Sequence, residues 1–261
     1  MGHHGRMHAQ PGVRARPDTP VAKQTEPNRR IPASTFRSRH SALSELQRDT
    51  WGRLWPELGV SVGAEPAGSS GEPLDTEAWF GRRAPLVLEI GCGNGASTLA
   101  MAQDEPDIDV IAVEIYRRGL AQLLSAIERE QVGNIRLIRG NGIDVLEQLI
   151  APDSLTGVRV FFPDPWPKAR HHKRRFLQPA TVDLIADRLL PGGVLHAATD
   201  HPGYAEHIAA VGDEADPRLV RVEPGTESLP ISVVRPTTKY ETKAQEAGSD
   251  VTELIWKRRQ P

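Results

Sequence analysis

From residue 85 onward, short apolar runs alternate with amphipathic stretches of helical length. This alternation predicts strands joined by helices, since parallel strands need crossovers of about this length. Repeated βα units close as a sheet with helices on both faces. We therefore predict an α/β fold, a Rossmann-like doubly wound seven-stranded mostly parallel sheet with an antiparallel last strand. The predicted strands cover residues 86–90, 109–114, 135–139, 158–162, 194–199, 219–222 and 252–257, and the predicted helices cover 96–103, 117–130, 143–150, 176–190 and 204–211.

A glycine-rich turn follows the first of these predicted strands. Gly91, Gly93 and Gly95 allow the backbone to approach a ligand, and the helix that follows offers unpaired N–H groups. Glu114 ends the next strand, where an acid binds ribose hydroxyls. Both NAD and S-adenosylmethionine (SAM) suit these features. Glu89 favours SAM, because its carboxylate would repel a pyrophosphate and attract the ammonium of a methionine moiety.

A second unusual stretch begins where the predicted strand 158–162 meets Pro163. Three prolines within five residues exclude both helix and strand and make a stiff loop. This loop carries Asp164, Trp166 and Lys168, and the basic run 170–175 follows it. Ligands bind at the carboxyl ends of the strands in open α/β sheets. The stretch therefore predicts a site for a nucleobase and its phosphate backbone, the alternative being an ordinary turn with a solvated basic face.

The formal net charge of −2 conceals an uneven distribution. Residues 1–40 hold eight Lys/Arg and two acids, a net charge of +6, and the remainder holds 24 Lys/Arg and 32 acids. We expect three regions: a disordered basic arm (1–40), a helical extension and linker (41–84) and a single α/β domain (85–261). Within the extension, residues 41–58 have helical periodicity and a loop surrounds Gly68.

Composition excludes several classes of protein. Cys92 is the single cysteine, so no internal disulfide or cysteine-rich metal site can form. No apolar run reaches the roughly 18 residues of a membrane span. The first residues lack the apolar core of a secretory signal, so we expect a cytoplasmic protein. His171 and His172 are adjacent rather than at ligand spacing, and we expect no metal. The oligomeric state, monomer or homodimer, stays open.

Four segments together resemble the bacterial tRNA (guanine-N(7)-)-methyltransferase family, a class I SAM-dependent methyltransferase family. They are residues 88–95, 161–175, 198–200 and 235–241, and the resemblance covers about residues 80–258. The chain departs from the family pattern at Asn141, where many relatives carry aspartate, and at Pro167, where histidine is frequent. Asn141 retains a donor and an acceptor for an adenine edge.

This resemblance implies an activity and a set of roles. The activity is methyl transfer from SAM to N7 of guanosine 46 in the tRNA variable loop, which yields 7-methylguanosine and S-adenosyl-L-homocysteine. Asp164 is the implied catalytic carboxylate. The implied cofactor-binding residues are Glu89, Gly91, Gly93, Gly95, Glu114, Asn141 and Asp164. The implied tRNA-binding residues are Lys168, Asp200, Thr238, Lys239, Tyr240 and Glu241.

Several alternatives stay open at this point. Another SAM-dependent RNA methyltransferase fits the same segments, and an NAD-dependent oxidoreductase fits the glycine turn. Asn141 and Asp200 could instead cap the helices that follow them. The division of labour among Asp164, Asp200 and Glu241 is undetermined. We expect phosphates to meet the basic side chains Lys168, Arg170, Lys173, Arg174, Arg175 and Lys239.

Overall fold

A computed structural model describes residue 1 and residues 42–62, 72–237 and 250–260 of the 261-residue chain. The helices and strands of these ranges all belong to one compact unit, Ile31–Pro261. Three sequence predictions lie outside the described residues: the basic arm from residue 2 to 40, the loop around Gly68, and the proposed tRNA-binding segment 238–241.

Within the described residues, eight strands form one sheet in the order β1-β4-β3-β2-β5-β6-β8-β7. Their bounds are β1 (Gly59–Ser61), β2 (Leu86–Ile90), β3 (Asp109–Glu114), β4 (Ile135–Arg139), β5 (Leu155–Phe161), β6 (Leu189–Thr199), β7 (Leu219–Arg221) and β8 (Thr252–Arg258). Neighbouring strands pair in parallel, except that β8 runs antiparallel to both β6 and β7. The predicted Rossmann-like doubly wound fold and its antiparallel last strand are confirmed.

The predicted count of seven strands is wrong by one. The additional strand, β1, has three residues at the edge of the sheet and pairs in parallel with Leu137, Ile138 and Arg139 of β4. A run of three residues is too short to show the two-residue alternation that identifies a strand. Tertiary pairing with β4, rather than local pattern, makes this segment a strand.

Seven α-helices cover the two faces of the sheet in the described part of the chain. Their bounds are α1 (Glu45–Leu58), α2 (Thr76–Phe80), α3 (Ala96–Asp104), α4 (Arg117–Glu130), α5 (Gly142–Gln148), α6 (Pro179–Arg188) and α7 (Pro202–Glu214). Buried side chains of α3 and α4 and the partly buried face of α1 share one apolar cluster with Val87 of β2. Those of α5, α6 and α7 share another with Leu86 and Leu88. Alternate residues of β2 therefore enter opposite layers.

The chain around residues 176–193 differs from the prediction. Helix α6 begins at Pro179 and ends at Arg188, inside the predicted range 176–190. Composition predicts that the sequence Pro-Gly-Gly at 191–193 closes that helix, but it lies within β6. Pairing with β5 shifts there, from Leu155–Leu189 to Gly157–Val194. An irregularity in the ladder thus accommodates residues whose composition is typical of a turn.

Two helical glycines test how closely α7 packs against the sheet. A Cβ at Gly212 would lie 2.2 Å from Cζ2 of buried Trp256, whereas a Cβ at Gly52 in α1 would meet nothing within 4 Å. We expect Gly52→Ala to raise the free energy of unfolding by about 0.5–1 kcal/mol, because alanine is the better helix former. Gly212→Ala should lower it by about 1–3 kcal/mol, because the ring must move. Urea denaturation measures both, and a stabilised Gly212→Ala would contradict this packing.

Candidate active site

A cleft lies at the carboxyl edge of the sheet, where the strand order changes direction. β2 stands between β3 and β5, so the loops after these strands diverge on either side of it. The cleft holds about 230 Å³, the scale of a small ligand rather than a protein segment. Four sequence-predicted site residues line it, namely Gly91, Glu114, Asn141 and Asp164.

The glycine turn after β2 uses left-handed backbone at each of its three glycines. The φ angles are 79° at Gly91, 59° at Gly93 and 76° at Gly95. A Cβ at Gly95 would lie 2.6 Å from Cδ1 of Leu123, so this glycine serves the packing of α3 on α4. A Cβ at Gly91 or Gly93 would meet nothing within 4 Å. These two positions therefore leave open space beside the turn, as a ligand cradle requires.

The carboxylate of Glu114 is fixed by the turn that it faces. Its Oε1 accepts the N–H groups of Ile115 (2.7 Å) and Tyr116 (3.0 Å), and its Oε2 accepts that of Gly93 (3.0 Å). Burial raises the pKa of Glu114, and these three N–H donors oppose that rise. Since an oxygen has more than one acceptor site, Oε2 retains capacity for a hydroxyl donor.

Glu89 lies one layer deeper, in β2, two residues before Gly91. Its side chain is buried, and its Oε2 has no hydrogen-bond partner within the described ranges. Burial raises the pKa of Glu89, while the positive charge of Arg159 on the neighbouring strand opposes the rise. A buried carboxylate oxygen without a donor, beside a turn with open space, fits a cationic ligand group.

Asn141 caps α5. Its Oδ1 accepts the N–H of Ile143 at 2.9 Å, which is the capping role that the sequence left open. The same residue lines the cleft. Because the cap uses only the amide oxygen, the cap and a contact from the amide nitrogen to a ligand are compatible.

The loop after β5 holds Asp164 on strained backbone. Phe162 and Trp166 have φ angles of 49° and 44°, which bulky residues rarely adopt. The carbonyl of Pro165 accepts a hydrogen bond from Nε of Arg175 at 2.8 Å. Asp164 itself is exposed at the cleft. The loop is thus held in an unfavourable conformation that presents a carboxylate to the ligand space.

Arg175 contradicts the expectation that it meets phosphates. Its side chain is buried, its Nη1 donates to the carbonyl of Gly203 at 3.3 Å, and its guanidinium lies 4.8 Å from the ring of Tyr204. Both Arg175 and its neighbour Arg174 line the cleft, but Arg174 is only partly buried, with its guanidinium 5.1 Å from the ring of Trp166. The basic run therefore contains one structural arginine among groups that face solvent or the cleft.

The remaining predicted residues lie outside the lining of the cleft. Lys168 is exposed and precedes the 3₁₀ helix Ala169–Arg174. Asp200 is half-buried after β6 and does not cap α7, because the cap is His201, whose Nδ1 accepts the N–H of Tyr204 at 3.2 Å. The predicted residues Thr238, Lys239, Tyr240 and Glu241 fall outside the described residues.

Sequence reasoning missed several contributors to the site. Tyr116 and Phe176 line the cleft, and nothing in their local pattern distinguishes them from packing residues. The guanidinium of Arg235 lies 4.8 Å from the ring of Phe162, and its Nη2 donates to Glu253 at 2.9 Å.

Within the described ranges, no group of three or more His, Cys, Asp or Glu side chains is arranged to hold a metal ion. None of the helices described there has the length and apolar character that crossing a membrane requires.

Comparison with known proteins agrees with this arrangement. Residues 83–254 match a family described as "Putative methyltransferase", so the fold and the site define a methyltransferase. The tRNA (guanine-N(7)-)-methyltransferase of Mycolicibacterium paratuberculosis is 70% identical over 261 residues, covering 99% of this chain and 100% of that protein. The protein of the same description from Mycobacterium tuberculosis is 69% identical, covering 99% of this chain and 96% of that protein. The chain belongs to the tRNA (guanine-N(7)-)-methyltransferase family.

The two roles within the basic run can be separated by substitution. Arg175→Met should lower the free energy of unfolding by about 2–3 kcal/mol, because the carbonyls of Pro165 in the loop and Gly203 in α7 lose a charged donor. Arg170→Met, at an exposed position two residues after Lys168, should change it by less than about 0.5 kcal/mol. Urea denaturation of the two variants provides the comparison. Equal effects would show that Arg175 does not hold the loop.

Proposed function

We propose that this protein transfers the methyl group of SAM to N7 of guanosine 46 in the tRNA variable loop, forming 7-methylguanosine and S-adenosyl-L-homocysteine. The observation that carries the proposal is the meeting of Glu114, Asn141 and Asp164 at one cleft, beside the open glycine turn. Family membership supplies the reaction and the substrate class. A cytoplasmic location and tRNA as partner belong to the same proposal.

The residues of the cleft, together with the glycine turn and Glu89 beside it, fit the parts of SAM. When bound, SAM supplies an electrophilic methyl group on a sulfonium. Glu114 would accept the ribose hydroxyls, Asn141 would bind the adenine edge, and Glu89 would receive the ammonium of the methionine portion. Gly91 and Gly93 would allow close approach of the backbone, and Gly95 would support the turn by packing. The orphaned Oε2 of Glu89 is the feature of this structure that best fits a cation.

The proposed reaction requires little proton transfer by the protein. Guanine N7 carries a lone pair and no proton in the neutral base, so no general base is needed before attack. Catalysis then rests on alignment and electrostatics. Asp164, fixed at the cleft by its strained loop, would stabilise the positive charge that develops on the purine or accept donors from the opposite guanine edge. Asp200 and Glu241 would assist in binding that base.

The tRNA would approach over the basic side of the loop. Lys168, Arg170 and Lys173 are exposed and suited to phosphate contacts. Trp166, between Arg174 and His171, could stack on a base. Residues 238–241 would complete the tRNA site. The base must leave its tertiary contacts to reach the cleft, so some local opening of the RNA is required.

The domain proposal divides the chain in the same way as the sequence prediction. Residues 85–261 would form the methyltransferase domain, 41–84 a helical extension with a linker, and 1–40 a basic arm. Helix α1 and strand β1 of the extension pack on the same sheet as the catalytic elements.

The second candidate function is methylation of another RNA position, because the cofactor-binding residues alone do not determine which base is methylated. An oxidoreductase is disfavoured, since the buried carboxylate of Glu89 would repel a pyrophosphate.

Asp164→Ala is the decisive catalytic variant. Without the carboxylate, we expect methyl transfer to slow by about 100-fold or more, with tRNA affinity within about threefold of the parent protein. The assay incubates protein with radiolabelled SAM and unmodified tRNA transcripts, then analyses nucleosides. Asp107→Ala, in an exposed turn before β3 at the opposite edge of the sheet, is the control. Near-normal turnover of Asp164→Ala would remove its catalytic role, and label in another nucleoside would discard guanine N7.

Phosphate contacts predict a particular salt dependence. Arg170→Gln and Lys173→Gln should each weaken tRNA binding and reduce the slope of log affinity against log salt by about 0.7–0.9, because each removes one phosphate contact. Arg83→Gln is a matched control, since Arg83 is exposed and precedes β2 at the far edge of the sheet. Filter binding at several salt concentrations gives the slopes. Unchanged slopes would move the RNA interface away from the basic run.

A further inference from the structure

A row of buried polar side chains crosses the middle of the sheet. Glu89 of β2 is the register partner of Arg159 of β5, which in turn is the partner of His196 of β6. All three are 2% exposed or less. Register partners point to the same face of a sheet, here the face that α3 and α4 cover. Oε2 of Glu89 and both Nε and Nη1 of Arg159 have no hydrogen-bond partner among the described residues.

The guanidinium of Arg159 also binds a segment of the chain that is distant in sequence, around Ser232. Nη2 of Arg159 donates to Oε2 of Glu105, at the end of α3, at 2.5 Å and to the carbonyl of Ser232 at 3.2 Å. The other oxygen of Glu105 accepts the N–H of Ser232 at 2.6 Å. We call this group, Glu105, Arg159 and Ser232, the arginine clamp. It fastens residues 231–235 onto the face of β5.

Residues 231–235 follow β5 toward its carboxyl end. A Cβ at Gly157 would lie 2.4 Å from Cδ1 of Ile231, so the segment contacts the sheet there. Ser232 then meets Arg159, and Arg235 lies against Phe161 and Phe162, with ring centroids 5.5 and 4.8 Å away. Residues 231–235 thus contact every second residue of β5, at positions 157, 159 and 161, and reach the loop that carries Asp164.

The charge balance of this row is incomplete. One guanidinium serves two carboxyl groups, Glu89 beside the glycine turn and Glu105 in the clamp, so when both are ionised one negative charge stays uncompensated. An uncompensated buried charge costs free energy, and a buried ion pair is seldom more stable than apolar residues of similar volume. The ammonium of the methyl donor, placed at Glu89, would complete the balance.

We propose that Arg159 is a positioning residue for the methyl donor: its positive charge stabilises the carboxylate of Glu89, its register partner, and through the arginine clamp it ties the donor site to residues 231–235. This inference rests on the proposed function, because it takes the ligand of Glu89 to be the ammonium of SAM. Arg159 would act on the donor through Glu89, and it holds the segment before the predicted tRNA-binding residues both directly, at Ser232, and through Glu105.

The test uses ligand binding without tRNA and without turnover. Calorimetry compares S-adenosyl-L-homocysteine with 5′-methylthioadenosine, which keeps the adenosine and sulfur and lacks the amino-acid portion. Arg159→Met should weaken binding of the first by about tenfold or more and leave the second within about twofold. Arg136→Met is the matched control, because Arg136 is another buried strand arginine, bonded to the carbonyls of Trp79 and Gly133. It should affect neither ligand.

The pH dependence of binding adds a readout that a purely structural role would not change. The groups that face Glu89 are Arg159 on β5, Thr98 on α3 and the buried Cys92 in the turn. Removing Arg159 takes away the larger of the two influences that oppose burial, the other being Thr98, so the pKa of Glu89 rises further and more of it is protonated at a given pH. Affinity of Arg159→Met for S-adenosyl-L-homocysteine should therefore increase with rising pH more steeply than that of the parent protein.

Arg159→Lys keeps a cation at the same position and removes the guanidinium fork. Arg159→Lys should retain affinity for S-adenosyl-L-homocysteine within about threefold. If Arg159→Met does not fold, the affinity of Arg159→Lys tests the proposal in its place. Equal weakening of both ligands by Arg159→Met, no weakening, or a tenfold loss in Arg159→Lys would each overturn the proposal. Failure of the parent protein to bind S-adenosyl-L-homocysteine would instead reject the proposed cofactor itself.

Discussion

The parallel pairing of β2 with β3 on one side and with β5 on the other is the interaction on which the site depends. It aligns Ile90 with Val113 and Glu89 with Arg159, so the three strands end at the same edge of the sheet. The turn after β2 can then place Gly93 within hydrogen-bonding distance of Glu114, which ends β3. A slip of one residue would turn Glu89 toward the opposite helical layer and separate these groups.

The sequence predicted those parts of the fold whose pattern is local and strong. The bounds of β3, β4 and α4 coincide with prediction, because each is a long run with one clear period. Prediction failed where tertiary contacts override local preference. β1 exists because β4 offers it an edge, and the Pro-Gly-Gly segment joins β6 because the ladder with β5 shifts around it. Neither the pairing of β1 with β4 nor the shift in the ladder between β5 and β6 can be predicted from composition alone.

The site shows the same division. Gly91, Glu114, Asn141 and Asp164 could be chosen from their places at strand ends, since parallel strands bring those ends together. Arg174 and Arg175 are chemically identical neighbours, and no sequence pattern tells which one is buried. Arg174 is the last residue of the 3₁₀ helix and stays partly exposed beside Trp166, whereas Arg175 follows that helix and its guanidinium lies under the loop, bonded to the carbonyl of Pro165. Asp200 and His201 present the same difficulty at the cap of α7.

β5 and the loop after it combine a buried charge with strained backbone. β5 carries Arg159 in its middle, and the loop at its end carries Phe162 and Trp166 with positive φ. Neither feature favours stability, because apolar side chains and relaxed backbone would suit those positions at least as well. Both features have a function if the loop at the end of β5 must fix the Asp164 carboxylate while Arg159 stabilises the Glu89 carboxylate on the neighbouring strand β2. The surrounding apolar layers, which bury both faces of β2 and β5, supply the stability that offsets these local costs.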